Sequence, residues 1–285
     1  MPAKQIERTW LITGTSSGLG RSLAEEALRR GARVAATSRR PQQLEDLEAH
    51  NPGRLLALAV DLTSPAEVAT AVNEVIRQFG RLDAVVCNAG YGLIGAVEEL
   101  TESDWRAQFD VNFFGVVRIV RSVAPHMRQA GGDIFIVSSS GLYTEVPLAA
   151  AYLASKHALV GLTDALRAEL DPFGVRVRLV IPGPLRTAFS GASLKFTSSA
   201  VDSYATATRQ LREAMATMDG TQEGDPLRCA ATLCAAVNDP PEERDDIVLG
   251  SHALSQGLSR VERDALVLQR ARARAEACDF RRDQS

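Results

Sequence analysis

Thr13-Gly14-Thr15-Ser16-Ser17-Gly18-Leu19-Gly20 decides the fold. It follows a short apolar run and opens a segment of helical period, so its glycines stand where a strand gives way to a helix. Glycine there lets the backbone turn tightly and leaves the helix N-terminus open to a pyrophosphate. The spacing is G-x-x-x-G-x-G, not the commoner G-x-G-x-x-G. Alone it would also describe a plain glycine-rich turn; its place between strand and helix makes it a dinucleotide site.

Outward from that loop, short apolar runs alternate with longer helical segments through the first two thirds of the chain. This pattern builds a parallel sheet covered on both faces. Strands are expected at Arg8–Thr13, Arg33–Ser38, Leu55–Val60, Ala84–Asn88, Asp133–Ser138 and Val175–Ile181. A second helix is expected to start at Pro41 and a third at Pro65, the latter capped by Ser64 with Glu67 three residues on. Gly31, Gly80 and Gly174 read as helix stops. The fold class is therefore α/β, a doubly wound parallel sheet in a single domain. Residues 1–187 form the cofactor-binding and catalytic core. After Pro182-Gly183-Pro184 the alternation stops, and Ser190 to Asp225 reads as a surface insertion or a lid; with the site close by, residues 188–225 are taken as a substrate lid. Residues 226–285 form a C-terminal extension, with a helix over Pro226–Val237, an apolar run Ile247-Val248-Leu249 and a polar helix near Val261–Cys278.

Composition narrows the function classes. The 285 residues are 45% apolar and 24% charged, with a formal charge of −3, which gives no global attraction for nucleic acid or an anionic membrane. Arginines crowd the end at Arg270, Arg272, Arg274, Arg281 and Arg282, but Glu262, Asp264, Glu276 and Asp279 share the region, and a solvated helix is the reading. No signal-peptide pattern or membrane-spanning run is seen, so a cytoplasmic protein without membrane insertion is expected. Cys87, Cys229, Cys234 and Cys278 are too scattered for a disulfide framework or a zinc site, and no metal is expected.

Tyr152 and Lys156 lie four residues apart in a helical segment, thirteen residues after Ser139. Positions i and i+4 share a helix face, so phenol and ammonium reach one cavity, and a nearby ammonium favours the phenolate. The second strand ends Thr37-Ser38-Arg39-Arg40, without the acidic residue that would hold a ribose 2′-hydroxyl. Arg39, with Arg40 beside it, suits a 2′-phosphate instead. NADP(H) is thus the expected cofactor.

The glycine loop, Asp61-Leu62, Asn88-Ala89-Gly90, Asn112, Ser139, Tyr152-x-x-x-Lys156 and Pro182-Gly183-Pro184-Leu185-Arg186-Thr187 occur in that order. From Thr9 to Thr187 the chain resembles the short-chain dehydrogenase/reductase family, which implies a Rossmann-type fold and hydride transfer. The stretch from Asn88 to Glu98, with Pro172 to Arg176, resembles its 17β-hydroxysteroid-dehydrogenase-like and retinol-dehydrogenase-like branch. The resemblance implies Gly14, Ser16, Ser17, Gly18, Leu19, Gly20 and Ser38 around the cofactor, Asp61 beside the adenine amine, and Leu62 flanking the ring. It puts Asn88, Ala89 and Gly90 under the adenosine half, Thr187 at the nicotinamide carboxamide, and Pro182 and Gly183 alongside. Cys87 departs from the Asn of many members. Tyr152 is the implied acid/base. The implied catalytic serine is Ser139, thirteen residues before it, with Ser138 and Ser140 as neighbours of the same type. Lys156 would bond the nicotinamide ribose and lower the tyrosine pKa, and Asn112 would hold a water leading to solvent.

That branch points to a lipophilic ketone or secondary alcohol, steroid-like or retinoid-like, with Leu93, Leu142, Tyr143, Val146, Leu185, Phe189 and Phe196 as candidate walls. Redox-neutral epimerisation or elimination on the same scaffold is an alternative, as is a non-catalytic NADP-sensing protein. The family implies a homodimer or homotetramer through helices at Thr101–Arg128 and Ala150–Leu170.

Overall fold

The computed structural model describes residues 7–191, 193–240 and 246–279; Arg281 and Arg282 lie outside them. In chain order the elements are β1 (Thr9–Thr13), α1 (Gly18–Arg29), β2 (Arg33–Ser38), α2 (Glu45–His50), β3 (Leu55–Ala59), α3 (Pro65–Phe79), β4 (Ala84–Cys87), β5 (Gly92–Ile94), α4 (Glu102–Phe109), α5 (Gly115–Ala130), β6 (Gly132–Val137), α6 (Ala150–Leu170), β7 (Val175–Pro182), β8 (Leu194–Phe196), α7 (Ala205–Met218), α8 (Pro226–Ala236), β9 (Ile247–Leu249) and α9 (Ser251–Glu276).

Seven parallel strands run in the order β3-β2-β1-β4-β6-β7-β9. Successive strand residues face opposite sides, so Leu11, Val85, Ile134 and Ile136 pack with Val72, Val123 and Leu159 of α3, α5 and α6. Trp10, Ile12, Val86 and Phe135 pack with Leu23 of α1 and Leu233 of α8 on the other face. Strands buried on both faces are continuously apolar, which is why these runs were readable. The chain winds one way from β1 to β3 and the other way from β4 to β9. The reversal opens a crevice at the carboxyl ends of β1 and β4, where the glycine loop and Asn88 stand.

Local chemistry explains the remaining boundaries. Ser64 accepts from Glu67 N at 3.3 Å, but the Glu67 carboxylate accepts from Asp61 N at 2.8 Å, holding the loop before α3. Pro41 starts a single 3-10 turn, and α2 follows at Glu45. The expected helix at Thr101–Arg128 is α4 and α5 joined by a π-helical turn over Asp110–Phe114.

The segment expected to be irregular after Ser190 contains β8 and α7. β8 pairs in parallel with β5, Gly92 opposite Leu194 and Ile94 opposite Phe196. Buried Glu99 ties this segment down, its carboxylate accepting from Ala96 N at 2.8 Å and Val201 N at 3.0 Å. A three-residue strand and a helix with no buried residue leave little periodicity to read. The last helix begins at Ser251, ten residues before its expected start, because Gly250, at φ 95°, turns the chain directly from β9 into α9. Among the described residues no helix is long and apolar enough to cross a membrane.

Candidate active site

The glycine loop is held from beneath by two strand ends. Thr37 O accepts from Gly14 N and Thr15 N, each at 3.1 Å, and from Thr15 Oγ1 at 3.0 Å. Thr13 Oγ1 accepts from Asn88 N and Ala89 N at 3.0 Å each, and Asn88 Nδ2 donates to Thr13 O at 2.9 Å and Gly14 O at 3.2 Å. This closeness requires glycine. Gly14 has φ 70°, and a Cβ on Gly20 would lie 2.3 Å from Gly14 O and 2.4 Å from Asn88 Nδ2. The N–H groups of Ser16, Ser17, Gly18, Leu19 and Gly20 donate to no acceptor among the described residues. The first turn of α1 carries no acid. Five open donors at a positive helix end fit a pyrophosphate.

At the end of β2, Ser38 Oγ accepts from Arg40 N at 3.1 Å, so its side chain shapes the turn from which the exposed Arg39 and Arg40 extend. Asp61 Oδ1 accepts from Thr63 N at 2.9 Å and Thr63 Oγ1 at 2.8 Å, and these bonds, with the charge of Arg39, hold its carboxyl below the usual range. Leu62 corrects its expected role. Its side chain is buried in the core beside Gly115 and has little surface to flank a ring; its N–H remains open among the described residues.

The structure brings Ser139, Tyr152, Lys156 and Asn112 together where β4, β6 and α6 converge. Of the three serines, Ser138 donates to Lys156 O at 3.1 Å and is structural, whereas the Ser139 hydroxyl accepts from Gly141 N at 3.1 Å and acts on the Tyr152 phenol in favour of its charged form. Lys156 is buried, with Nζ donating to Val137 O at 2.9 Å and standing near Gly90. Burial brings its pKa down to about 8. The expected lowering of the tyrosine pKa is not found: burial raises the Tyr152 phenol, Ser139 opposes that, and the lysine, turned to a carbonyl, takes no part.

Asn112 is fully buried in the π-helical turn. Its Oδ1 accepts from Tyr91 N at 3.1 Å, and its Nδ2 donates to Tyr91 O at 3.0 Å and Ser155 Oγ at 3.1 Å. Ser155 Oγ in turn donates to Tyr152 O at 2.7 Å, so one network links the loop after β4 to the helix carrying Tyr152. Ser155 had no signal in the sequence beyond lying next to Lys156.

Across the crevice, a Cβ on Gly18 would lie 3.2 Å from Thr187 Cβ, so the glycine loop faces the segment after β7. Gly183 N donates to Leu249 O at 2.9 Å; Pro182 pairs with Leu249, and Leu185 bridges to Gly224. Phe189 is part-exposed, with its ring centroid 5.9 Å from that of Tyr152. Tyr143 is half-buried against Gly257 of α9. Leu93 corrects its assignment as a wall, since it is 6% exposed and packs with Leu100 and Ala151 in a separate small cluster. Leu194 packs over Gly92 beside Phe189: a Cβ on Gly92 would lie 2.7 Å from Leu194 Cδ1 and 3.5 Å from Phe189 Cζ. It was unreadable because β8 was.

The sequence profile described as short chain dehydrogenase matches residues 8–197. Oxidoreductase BOA17 of Botryotinia fuckeliana is 38% identical over 192 residues, 67% of this chain and 70% of that one. The 3-ketodihydrosphingosine reductase of Bacteroides thetaiotaomicron is 40% identical over 63% of this chain and 65% of its own length. Retinol dehydrogenase 8 of Bos taurus is 38% identical over 68% and 64% respectively. A short-chain dehydrogenase structure from Streptomyces avermitilis superposes with TM-score 0.87 at 33% identity, covering 97% of this chain and 100% of that one. Related structures from Burkholderia cenocepacia, in complex with NADP (28% identity, TM-score 0.69, 93% and 98% covered), and Burkholderia phymatum, in complex with NAD (26%, 0.77, 92% and 95%), share the fold. A profile match over two thirds of the sequence and a common fold along nearly all of it establish that this chain belongs to the short-chain dehydrogenase/reductase family of oxidoreductases.

Proposed function

We propose that the protein is an NADP-dependent oxidoreductase that interconverts a lipophilic ketone and its secondary alcohol, with Tyr152 as general acid and base. The observation that carries this reading is the half-buried Tyr152 phenol, gathered with Ser139, Lys156 and Asn112 beside a glycine loop that offers five open N–H donors. The relatives named for a long-chain keto lipid and for retinol support the apolar substrate class. Arg39, exposed and close enough to act on Asp61, supports NADP.

When bound, the nicotinamide supplies or takes the hydride. The chain does the rest. Ser16 to Gly20 hold the pyrophosphate through backbone donors, and Asp61 with Leu62 N–H offers an acceptor and a donor to the adenine edge. Ser139 orients the carbonyl oxygen and steadies the charge developing on it. Tyr152 gives that oxygen its proton, a task for which a raised pKa is suited at neutral pH. Lys156, whose pKa is brought down to about 8, would turn from Val137 O to the nicotinamide ribose, and a water held beside Asn112 would connect it to solvent for return of the proton. In oxidation the same atoms run in reverse.

The cofactor assignment is tested by kcat/KM with NADPH and with NADH, using a lipophilic steroid ketone, androstenedione, as oxidant. NADPH is expected to be preferred by at least ~10-fold, and Arg39→Asp to reverse the order, the size of one charge-assisted contact. Equal values, or a preference for NADH, reject it. A cavity of about 600 Å³ lined by Trp105, Phe109, Phe114 and Arg118 lies on the α4–α5 face. With Phe114 48% exposed there, a homodimer through this face is part of the proposal, and a monomeric mass by light scattering would reject it.

A further inference from the structure

A helix in a folded protein owes most of its stability to the apolar face it buries. Only the first turns of α9 reach the body, through fully buried Ala253, Gly257 against the Tyr143 ring, and Arg263 donating to Tyr143 O at 3.2 Å. From Val261 onward every described residue is exposed. Leu254, Leu258, Val261 and Leu268 are 52–71% exposed, and with Ala265 they follow one another at steps of four, three, four and three residues. That is the spacing of a coiled-coil seam, the line along which two helices close on each other. Leu266 and Val267, also exposed, lie off it.

The next seam position is Arg272, and the charges around the seam choose the direction of pairing. Within its own helix Arg272 pairs with Glu276 and Asp264 with Arg260, whereas Glu262 meets no cation among the described residues. In a parallel pair in register, Arg272 would face its own copy inside the seam, a destabilising like-charge contact. In an antiparallel pair closed midway between Ala265 and Leu268, each Leu268 covers the Ala265 of the other copy. Each Arg272 then stands opposite the other copy's Val261, flanked by the carboxylates of Glu262 and Asp264. We propose that α9 is a docking surface for a second copy of this chain, joined as an antiparallel two-helix coiled coil through Leu258, Val261, Ala265 and Leu268. The contact uses none of the residues of the α4–α5 face and stands whether or not that face is also paired.

Sedimentation velocity of the native chain and of Leu258→Glu/Leu268→Glu at equal concentration tests this. The native chain is expected to have about twice the mass of the variant or more, since a two-fold contact doubles whatever unit it joins. The variant's own mass, dimer or monomer, reports on α4–α5; the ratio reports on α9. A charge exchange guards against a variant that merely unravels the helix. Glu262→Arg/Asp264→Arg is expected to raise the dissociation constant at least ~5-fold, an exposed ion pair present twice by symmetry. Adding Arg272→Glu is expected to bring it back toward the native value. Glu262 and Asp264 stand ten and eight residues from Arg272, roughly 15 and 12 Å along one helix, so recovery requires two copies. Equal masses for the native chain and the seam variant, or a charge exchange that recovers nothing, overturns the proposal. Equal masses together with binding to phosphatidylcholine and phosphatidylserine vesicles that the seam variant loses would overturn it in favour of a membrane contact.

Discussion

Lys156 is the residue whose environment departs furthest from the role its sequence position implies. Burial lowers its pKa from 10.5 to about 8, so the folded state disfavours the ammonium that the unfolded chain carries freely. Below pH 8 both states are protonated and the full cost is present. Between about 8 and 10.5 the unfolded chain binds more protons, so stability rises with pH and the cost is relieved. The stability of the native protein minus that of Lys156→Met, from urea unfolding, is therefore expected to be flat below pH 8 and to climb above it. A difference that falls over that range would contradict the burial described here. The spacing of Tyr152 and Lys156 was legible because a helix repeats every 3.6 residues. Their electrostatics were not, since desolvation comes from residues as distant in sequence as Val137.

At the scale of elements, the glycine loop shows how one missing side chain positions several parts. Gly20 lets α1 start against Gly14 O and Asn88 Nδ2, so Gly20→Ala must push the helix from the loop after β4. We expect Gly20→Ala to cost about 1–3 kcal/mol of stability by overpacking and to abolish NADPH binding by calorimetry. Retained binding would separate the loop from the cofactor. The long strands and their helices were readable because burial on both faces writes a continuous apolar signal. β8, α7 and the start of α9 were not, because their order depends on Gly92, Glu99 and Tyr143, contacts distant in sequence. α8 was readable over Pro226–Val237, but the groups that meet its end were not: its last carbonyls accept from Arg178 at 2.6 Å and from Arg8 and Arg176 at 3.0 Å each. Nothing in the spacing of those arginines indicates that they share one helix end.

For the whole molecule, the reversal of strand order between β1 and β4 is what gathers loops from distant parts of the chain into one crevice. The amino half contributes the open N–H donors, α6 the phenol, and the segment after β7 the facing side, and the proposed hydride transfer needs them to act together. That joint action is tested most directly with NADPH carrying two deuteriums at nicotinamide C4 and the ketone androstenedione as acceptor, followed by mass spectrometry of the secondary alcohol formed. Deuterium is expected on the carbinol carbon in step with NADPH consumed. Tyr152→Phe should lower this at least ~100-fold, the lower end of general acid catalysis, with NADPH binding retained. Product without deuterium, or label transfer undiminished in Tyr152→Phe, would contradict it.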